Sequence, residues 1–445
     1  MDIVSLIPSF GGLVWTVLAF VVALSVIIAV HEYGHYIVGR WSGIRPEVFS
    51  IGFGPVLWSR VDRRGTRWQI AALPFGGYVK FLGDSNAASA PDGETIAELS
   101  PEERRHTMQG APLWARAATV LAGPAANFVL SLVLFALVLM LRGVPVSPVT
   151  IAEIAPLPAP VQELEVGDAV LAVEGEETPD VETFVTVIDR LPVKQVLDYH
   201  ILRNDAERDV RGPYPYPPLV GGVTPDSAAE AAGLRPGDVI LSIDGREVIA
   251  FREMREIVGS SGGKPLLLKV WREGEVFDVT LVPRRTDLPL PDGSFETRWL
   301  IGITGGLFFS PATEPPSLWE AAGYGASQTW FIVKSSLSGL YHMAAGAISS
   351  CNLRGPIGIA ETSGAAAAQG GLAFIWFIAV LSTAVGLLNL FPVPVLDGGH
   401  LVFHAWEAIT GRPPAESVVR ILMTAGLMIL LALMAFALTN DLFCP

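Results

Sequence analysis

Residues 31–35 read His-Glu-Tyr-Gly-His at one end of a long apolar run. Two histidines at i and i+4 share one face of a helix, where both imidazoles reach a single Zn²⁺. The Glu beside the first is placed to act on a water at that ion. From Leu13 to Val30 there is no charged side chain. His31, Glu32 and His35 therefore stand at membrane depth, where ionisable groups are costly and mark function. A chance match without metal is the competing reading of so short a motif, and the depth counts against it.

A catalytic zinc takes three protein ligands and keeps a position open for water. Candidates for the third are Asp397, His400, His404 and Glu407, near the end of a later apolar segment. The run from Asn389 to Gly399 singles out Asp397. Pro392, Pro394 and the pair Gly398-Gly399 cannot continue a helix, and irregular backbone at membrane depth needs protein or a wet cavity around it. Asp397 could instead cap a helix starting near Leu401. His400 and His404 repeat the i,i+4 spacing, but no Glu follows His400, so a surface or structural role suits them better than a second metal site. Asn127 and Asn389 each fit an interhelical hydrogen bond or one within the site. The place of Asn389 just before the break favours the site.

The elements that must hold these groups are membrane helices. The 445 residues are 51% hydrophobic and 17% charged, against about 25% charged in soluble domains. Four segments reach the roughly 20 apolar residues that a span needs: about Leu13–Val38, Ala115–Leu141, Leu372–Leu390 and Val418–Leu438. The first lacks a basic leader and exceeds the roughly 7–15 apolar residues of a signal peptide, so a retained anchor is expected. Between the first two spans lie Arg40, Arg45, Arg60, Arg63, Arg64, Arg67, Lys80, Arg104 and Arg105. The positive-inside rule puts 39–114 in the cytoplasm, and both termini and 143–371 outside. His31 then sits about 13 Å inside the interface anchor Arg40, nearer the cytoplasmic face. A net charge of −14 argues against a nucleic-acid partner. Cys351 and Cys444 are the two cysteines; one disulfide is allowed and left open.

Glu47–Trp58 and Thr66–Leu73 read as strands around a turn at Asp62-Arg63-Arg64-Gly65, and 84–112 as a polar loop. In the outer segment, Val166-Gly167-Asp168 through Gly175 is echoed by Pro236-Gly237-Asp238 through Gly245. Each is followed by a helix-like stretch, Phe184–Leu191 and Phe251–Val258. The repeat of roughly 70 residues predicts two small domains of one fold, joined at Pro213, Pro215, Pro217 and Pro218. Ser317–Ser349 mixes aromatic and charged residues, which suits an amphipathic helix on the outer membrane surface.

Together these residues resemble the site-2 protease family of intramembrane zinc metalloproteases, most closely its bacterial RseP-type branch of sigma-E regulators. His31–His35 matches the family's HExxH, Asn389–Gly399 its NxxPxPxLDG, and Gly123-Pro124-Ala125-Ala126-Asn127 its GPxxN. Ser50–Gly54 and Gly76–Lys80 look like its membrane-associated β elements, and the outer repeat like its two PDZ domains. The resemblance implies one Zn²⁺ per chain on His31, His35 and Asp397, with Glu32 as base and Asn389 beside the reacting carbonyl. Gly76, Gly77, Tyr78, Val79, Lys80, Phe81 and Asn127 would meet substrate. Val220, Gly221 and Gly222 would open a groove for C-terminal peptides in the second PDZ-like domain, whereas Pro156, Pro158 and Pro160 replace the matching text of the first.

The expected architecture is a polytopic α-helical membrane protein with four spanning helices, a small membrane-associated β-sheet and two extracytoplasmic PDZ-like α/β domains. Its parts are 1–142 with the first two spans, 143–214 and 215–286 as the two domains, 287–371 as connector, and 372–445 with the last two spans. The implied setting is the bacterial inner membrane. The implied partners are single-span substrates of the trimmed anti-sigma-factor type, with signal-peptide remnants as a second class. The competing reading is a PDZ-containing membrane scaffold with a vestigial metal site.

Overall fold

In the computed structural model, which describes residues 6–84, 93–225, 227–290 and 294–444, the chain divides into two compact units. One takes the chain up to Val138, then Leu318–Ala344 and the part from Ser349 onward. The other takes Leu139–Ser317 with Ala345–Ile348.

Among the described residues, four helices are long and apolar enough to cross a membrane: Gly12–Trp41, Leu113–Arg142, Gly371–Asn389 and Glu416–Phe443. They are the four expected segments with shifted ends. A helix on a soluble core buries an apolar stripe and exposes a polar one; here apolar side chains face outward, with Ile421 68% and Met428 62% exposed. Polar contacts lie between the spans instead. Ser131 Oγ donates to Ala379 O at 2.9 Å and Ser382 Oγ to Asn127 O at 3.0 Å, tying the second span to the third as hydroxyls do in lipid.

The third span ends at Asn389, and helix resumes at Asp397–Thr410 with Leu396 in the cap position and no side-chain cap. Asp397 is thus the first helical residue, and the reading in which it caps a helix near Leu401 is corrected. The intervening Pro392 and Pro394 make the break that their missing amides require.

Strands Pro46–Val61 and Arg67–Phe81 form an antiparallel hairpin. Its turn is held by Asp62 Oδ1, which accepts from the N–H groups of Arg64 and Thr66 at 2.8 and 3.0 Å. Both strands fold back on themselves: Val48 pairs with Arg67 and with Lys80, and Ile51 with Ile70 and with Gly77. Two strands therefore make four ribbons, in the lateral order 58–61, 67–70, 48–51, 77–81. The second strand runs beyond the expected end at Leu73 because the chain reverses at Gly76, whose φ of 151° suits glycine. Residues 85–92 of the expected loop lie outside the described residues; the rest of it contains helices Gly93–Glu98 and Pro101–Arg104.

Leu318–Ala344, expected on the membrane surface, packs on the second span, where a Cβ at Gly325 would stand 2.3 Å from Leu132 O. The next helix, Pro356–Ala368, is anchored to the end of the fourth span. Asp441 accepts from the N–H groups of Gly355, Ile357 and Gly358 at 2.7, 3.0 and 3.2 Å, an anion on a helix N-terminus. Beside it Cys351 and Cys444 form a disulfide across 93 residues.

The second unit carries the internal repeat as two sheets of one plan. Their lateral orders are Glu176–Glu177, Ala169–Val173, Leu197–Arg203, Ala206–Gly212, and Arg246–Glu247, Val239–Ile243, Leu266–Arg272, Glu275–Leu281. Helices Val181–Ile188 and Phe251–Ser260 follow the second strand of each in the chain. The repeated Gly-Asp has a structural cause. Asp168 is fully buried and takes Arg203 Nε and Nη2 at 2.6 and 2.7 Å. Asp238 takes Arg272 in the same way at 2.6 and 2.8 Å.

The expected domain limits need correction. Ile151–Ile154 pairs with Phe309–Pro311, and Val220–Val223 with Ile303–Gly305. Phe308 and Phe309 belong to the first core and Ile301 to the second. The second domain is therefore inserted into the first, and 143–214 and 215–286 each lack a closing strand that was assigned to the connector. Such distant pairing leaves no periodic trace around either strand.

Candidate metal centre

The first span presents His31 and His35 one turn apart, and the break after the third brings Asp397 to them. His31 Nε2 and His35 Nε2 are 3.1 Å apart and stand 3.2 and 3.5 Å from Asp397 Oδ2. Ligands of a tetrahedral zinc with bonds of about 2.0–2.1 Å are about 3.3 Å from one another, so the three atoms already outline one face of such a site. Asp397 Oδ2 is buried without a hydrogen-bond partner, which is costly unless a cation completes it. The residues present fit zinc.

The opposite ring nitrogens fix both imidazoles. His35 Nδ1 lies 2.8 Å from Thr119 O and His31 Nδ1 lies 3.2 Å from Asn127 Nδ2. Partners of this kind set tautomer and ring orientation in metal-binding histidines. The close approach of the second span depends on Gly123, where a Cβ would stand 2.3 Å from His35 Nε2.

Glu32 faces the hairpin. A Cβ at Gly77 would lie 3.1 Å from its Cγ. His31, Glu32, His35 and Asp397 open onto one cavity of about 470 Å³. Asn389 lines it too, with Nδ2 donating to Val385 O at 3.1 Å. On the far wall Arg116 grips Glu407 through two bonds of 2.9 and 2.6 Å.

Residues 19–433 match the profile of peptidase family M50. The chain belongs to this family, the site-2 proteases. Its similarity to individual proteins is close to full length. It is 38% identical to a Rhizobium meliloti protein over 97% of both chains and 36% identical to an Agrobacterium fabrum protein over 98% of both; each is named "Putative zinc metalloprotease". It is 34% identical to "Regulator of sigma-E protease RseP" of Salmonella typhimurium, over 97% of this chain and 99% of that one. This site-2 protease is a zinc metalloendopeptidase of the membrane.

The other expected site residues divide. Gly77, Tyr78, Val79 and Phe81 line the cavity of the site-2 protease. Gly76 is the bend before them, and Lys80 turns to Glu47 at 3.6 Å. Asn127 is fully buried behind His31 and is absent from the cavity wall. His400 and His404 line it as well, and Glu407 is engaged by Arg116. Val220, Gly221 and Gly222 belong to the other unit. Their strand already has Ile303–Gly305 on one side, and Leu219 bridges to Val239 on the other.

Sequence reasoning missed the Thr119 carbonyl on His35 and the Arg116–Glu407 pair. Only Gly123, within the GPxxN text, carried a signal that could have been followed.

Proposed function

We propose that the chain hydrolyses peptide bonds of single-span membrane proteins within the inner membrane, with one zinc ion per chain. The triangle of His31 Nε2, His35 Nε2 and Asp397 Oδ2, opening on the cavity that holds Glu32, carries this reading. Zinc bound there supplies Lewis-acid polarisation of the scissile carbonyl and lowers the pKa of water.

The chain's own residues do the rest. Glu32 takes the proton of the attacking water and passes it to the leaving amide nitrogen. Asn389 donates to the carbonyl oxygen as negative charge develops, after its bond to Val385 O opens. Ribbon 77–81 pairs with 48–51 on one side. Among the described residues no strand pairs with its other side, so an unwound substrate segment adds there as a further strand.

The cytoplasm faces the hairpin turn and the outer compartment faces Cys444. The arginines of the turn support this sidedness, as does the disulfide, since such bonds persist in oxidising compartments such as the periplasm. The two outer domains act as PDZ-like modules, the second taking C-terminal peptides in the groove that begins at Val220, Gly221 and Gly222. A trimmed anti-sigma factor is the proposed substrate class, on the strength of the Salmonella relative's name, with signal-peptide remnants as a second.

The deciding experiment incubates a single-span substrate with purified wild type and Glu32→Gln in detergent. Wild type cleaves, chelator stops it, and the variant retains zinc without cleaving. Full cleavage by Glu32→Gln removes Glu32 as the base. Zinc-free, inactive wild type would favour the scaffold.

A further inference from the structure

The hairpin carries a second surface that the metal centre does not use. Arg60, Arg63, Arg64 and Arg67 surround its turn, all four are exposed, and none forms a salt bridge among the described residues. Such a concentration is unusual in a chain of net charge −14. The same ribbons leave large apolar side chains bare: Leu57 is 70% and Trp58 53% exposed, and Ile70 and Leu73 are exposed beside them.

The two chemistries are ordered by depth along the first span. Gly77, at the deep end of its ribbon, approaches Ile28 and Glu32, whereas Phe81 approaches Gly39. Pairing runs Gly77 to Ile51 to Ile70 and Lys80 to Val48 to Arg67, so Ile70 lies at the deep end and Arg67 at the shallow end. The turn is anchored at that shallow level, with Thr66 Oγ1 donating to Pro46 O at 3.0 Å. Apolar side chains thus point where acyl chains begin, and the guanidinium groups ring the level at which the first helix ends at Trp41.

We propose that this face binds anionic phospholipid of the adjoining leaflet, with the four arginines on headgroup phosphates and Leu57, Trp58 and Ile70 against acyl chains. A guanidinium offers paired donors that match phosphate oxygens. Each basic side chain at an anionic surface contributes roughly fivefold in local binding, reduced by salt. An acidic protein segment would satisfy the arginines but has no use for the bare apolar row below them, so lipid is favoured. The bound headgroups hold the hairpin at a fixed height beside Glu32.

The test uses the full chain with Ser59→Cys, its one free thiol because Cys351 and Cys444 are paired. A donor dye on that thiol is read against acyl-labelled phosphatidylglycerol or phosphatidylcholine in nanodiscs. Phosphatidylglycerol should be enriched several-fold near the dye, less so in high salt. The variant R60Q/R63Q/R64Q/R67Q should bring the ratio to about one, and the corresponding four-lysine variant should keep most of it. Should the glutamine variant fold poorly, R60Q/R63Q and R64Q/R67Q should each give intermediate ratios. A ratio of one in wild type, or an unchanged ratio in the glutamine variants, overturns the proposal. So does saturable binding of a soluble polyglutamate peptide without lipid enrichment, which would assign the arginines to a protein partner.

Discussion

Asn127 meets His31 at the ring nitrogen turned away from Asp397, with Nδ2 3.2 Å from Nδ1 and its own Oδ1 buried without a partner. An imidazole that binds a cation through Nε2 keeps its proton on Nδ1 and needs an acceptor there. Half a turn of the Asn127 amide brings Oδ1 onto that proton and satisfies both atoms. The bond from Ser382 to the Asn127 carbonyl holds the residue in place for this.

Asn127→Ala is therefore expected to weaken zinc retention by about 10–100-fold, while Asn127→Asp, which keeps an acceptor, should lose much less. Competition against a calibrated chelator measures both. Equal affinity in all three proteins would leave Asn127 with a packing role alone.

Gly123→Ala should displace the His35 ring, since the new methyl would stand 2.3 Å from Nε2. Zinc content and cleavage should fall together while helicity is kept. Gly323→Ala, where a methyl meets nothing within 4 Å, is the matched control. Equal zinc content in the two variants would contradict the close approach of the spans.

The buried Arg–Asp clamps predict an asymmetry in the second unit. Asp238 is 1% exposed at its side chain and Arg272 26%. Removing one partner of a buried pair costs about 3–5 kcal/mol, whereas replacing both with apolar groups costs far less; the partial exposure of Arg272 puts this pair at or below the lower end. Thermal proteolysis of full-length Arg272→Met, Asp238→Leu and the double variant should rank the double above either single. A double variant as weak as the worse single would argue against the clamp.

His200 gives a pH signature in the first of the two repeated domains. Hydrogen bonds from its ring to Asp209 and Glu207, at 2.8 and 3.2 Å, raise its pKa above the ordinary value. The folded pKa exceeds the unfolded one. Its stabilising contribution is therefore complete below the unfolded value of about 6.5 and is lost as pH rises through the folded value. An NMR titration of the His200 ring should show the raised midpoint, and Asp209→Asn should lower it. A midpoint indifferent to that change would discount the contact.

The Cys351–Cys444 bond and the Asp441 cap join the fourth span to the helix Pro356–Ala368. Neither cysteine should react with maleimide until reductant is added. Asp441→Ala should cost about 1 kcal/mol as a lost cap and speed labelling after reduction. Ready labelling without reductant would refute the pairing.

What the sequence disclosed was local chemistry. His31, Glu32 and His35 lie within one helical turn, and Asp397 follows prolines that announce their own break. The four spans were readable because lipid demands long apolar runs. The concealed parts join distant residues whose types are common. Nothing near Thr119 announces that its carbonyl reaches His35, and neither Arg116 nor Glu407 announces the other as its partner. The Gly-Asp repeat betrayed two similar domains, yet the strands that complete them, around Ile303 and Phe309, are too short to signal strand by alternation. Cys351 and Cys444 were visible, but their pairing depended on where the fourth span ends.

The insertion of one repeated domain within the other reverses the usual order of maturation at the ribosome. A nascent chain ordinarily completes its earlier domain first. Here the later domain receives its last strand at Ile303–Gly305, and only then does Phe309–Pro311 emerge to finish the earlier one. The domain that begins synthesis first is the last to close.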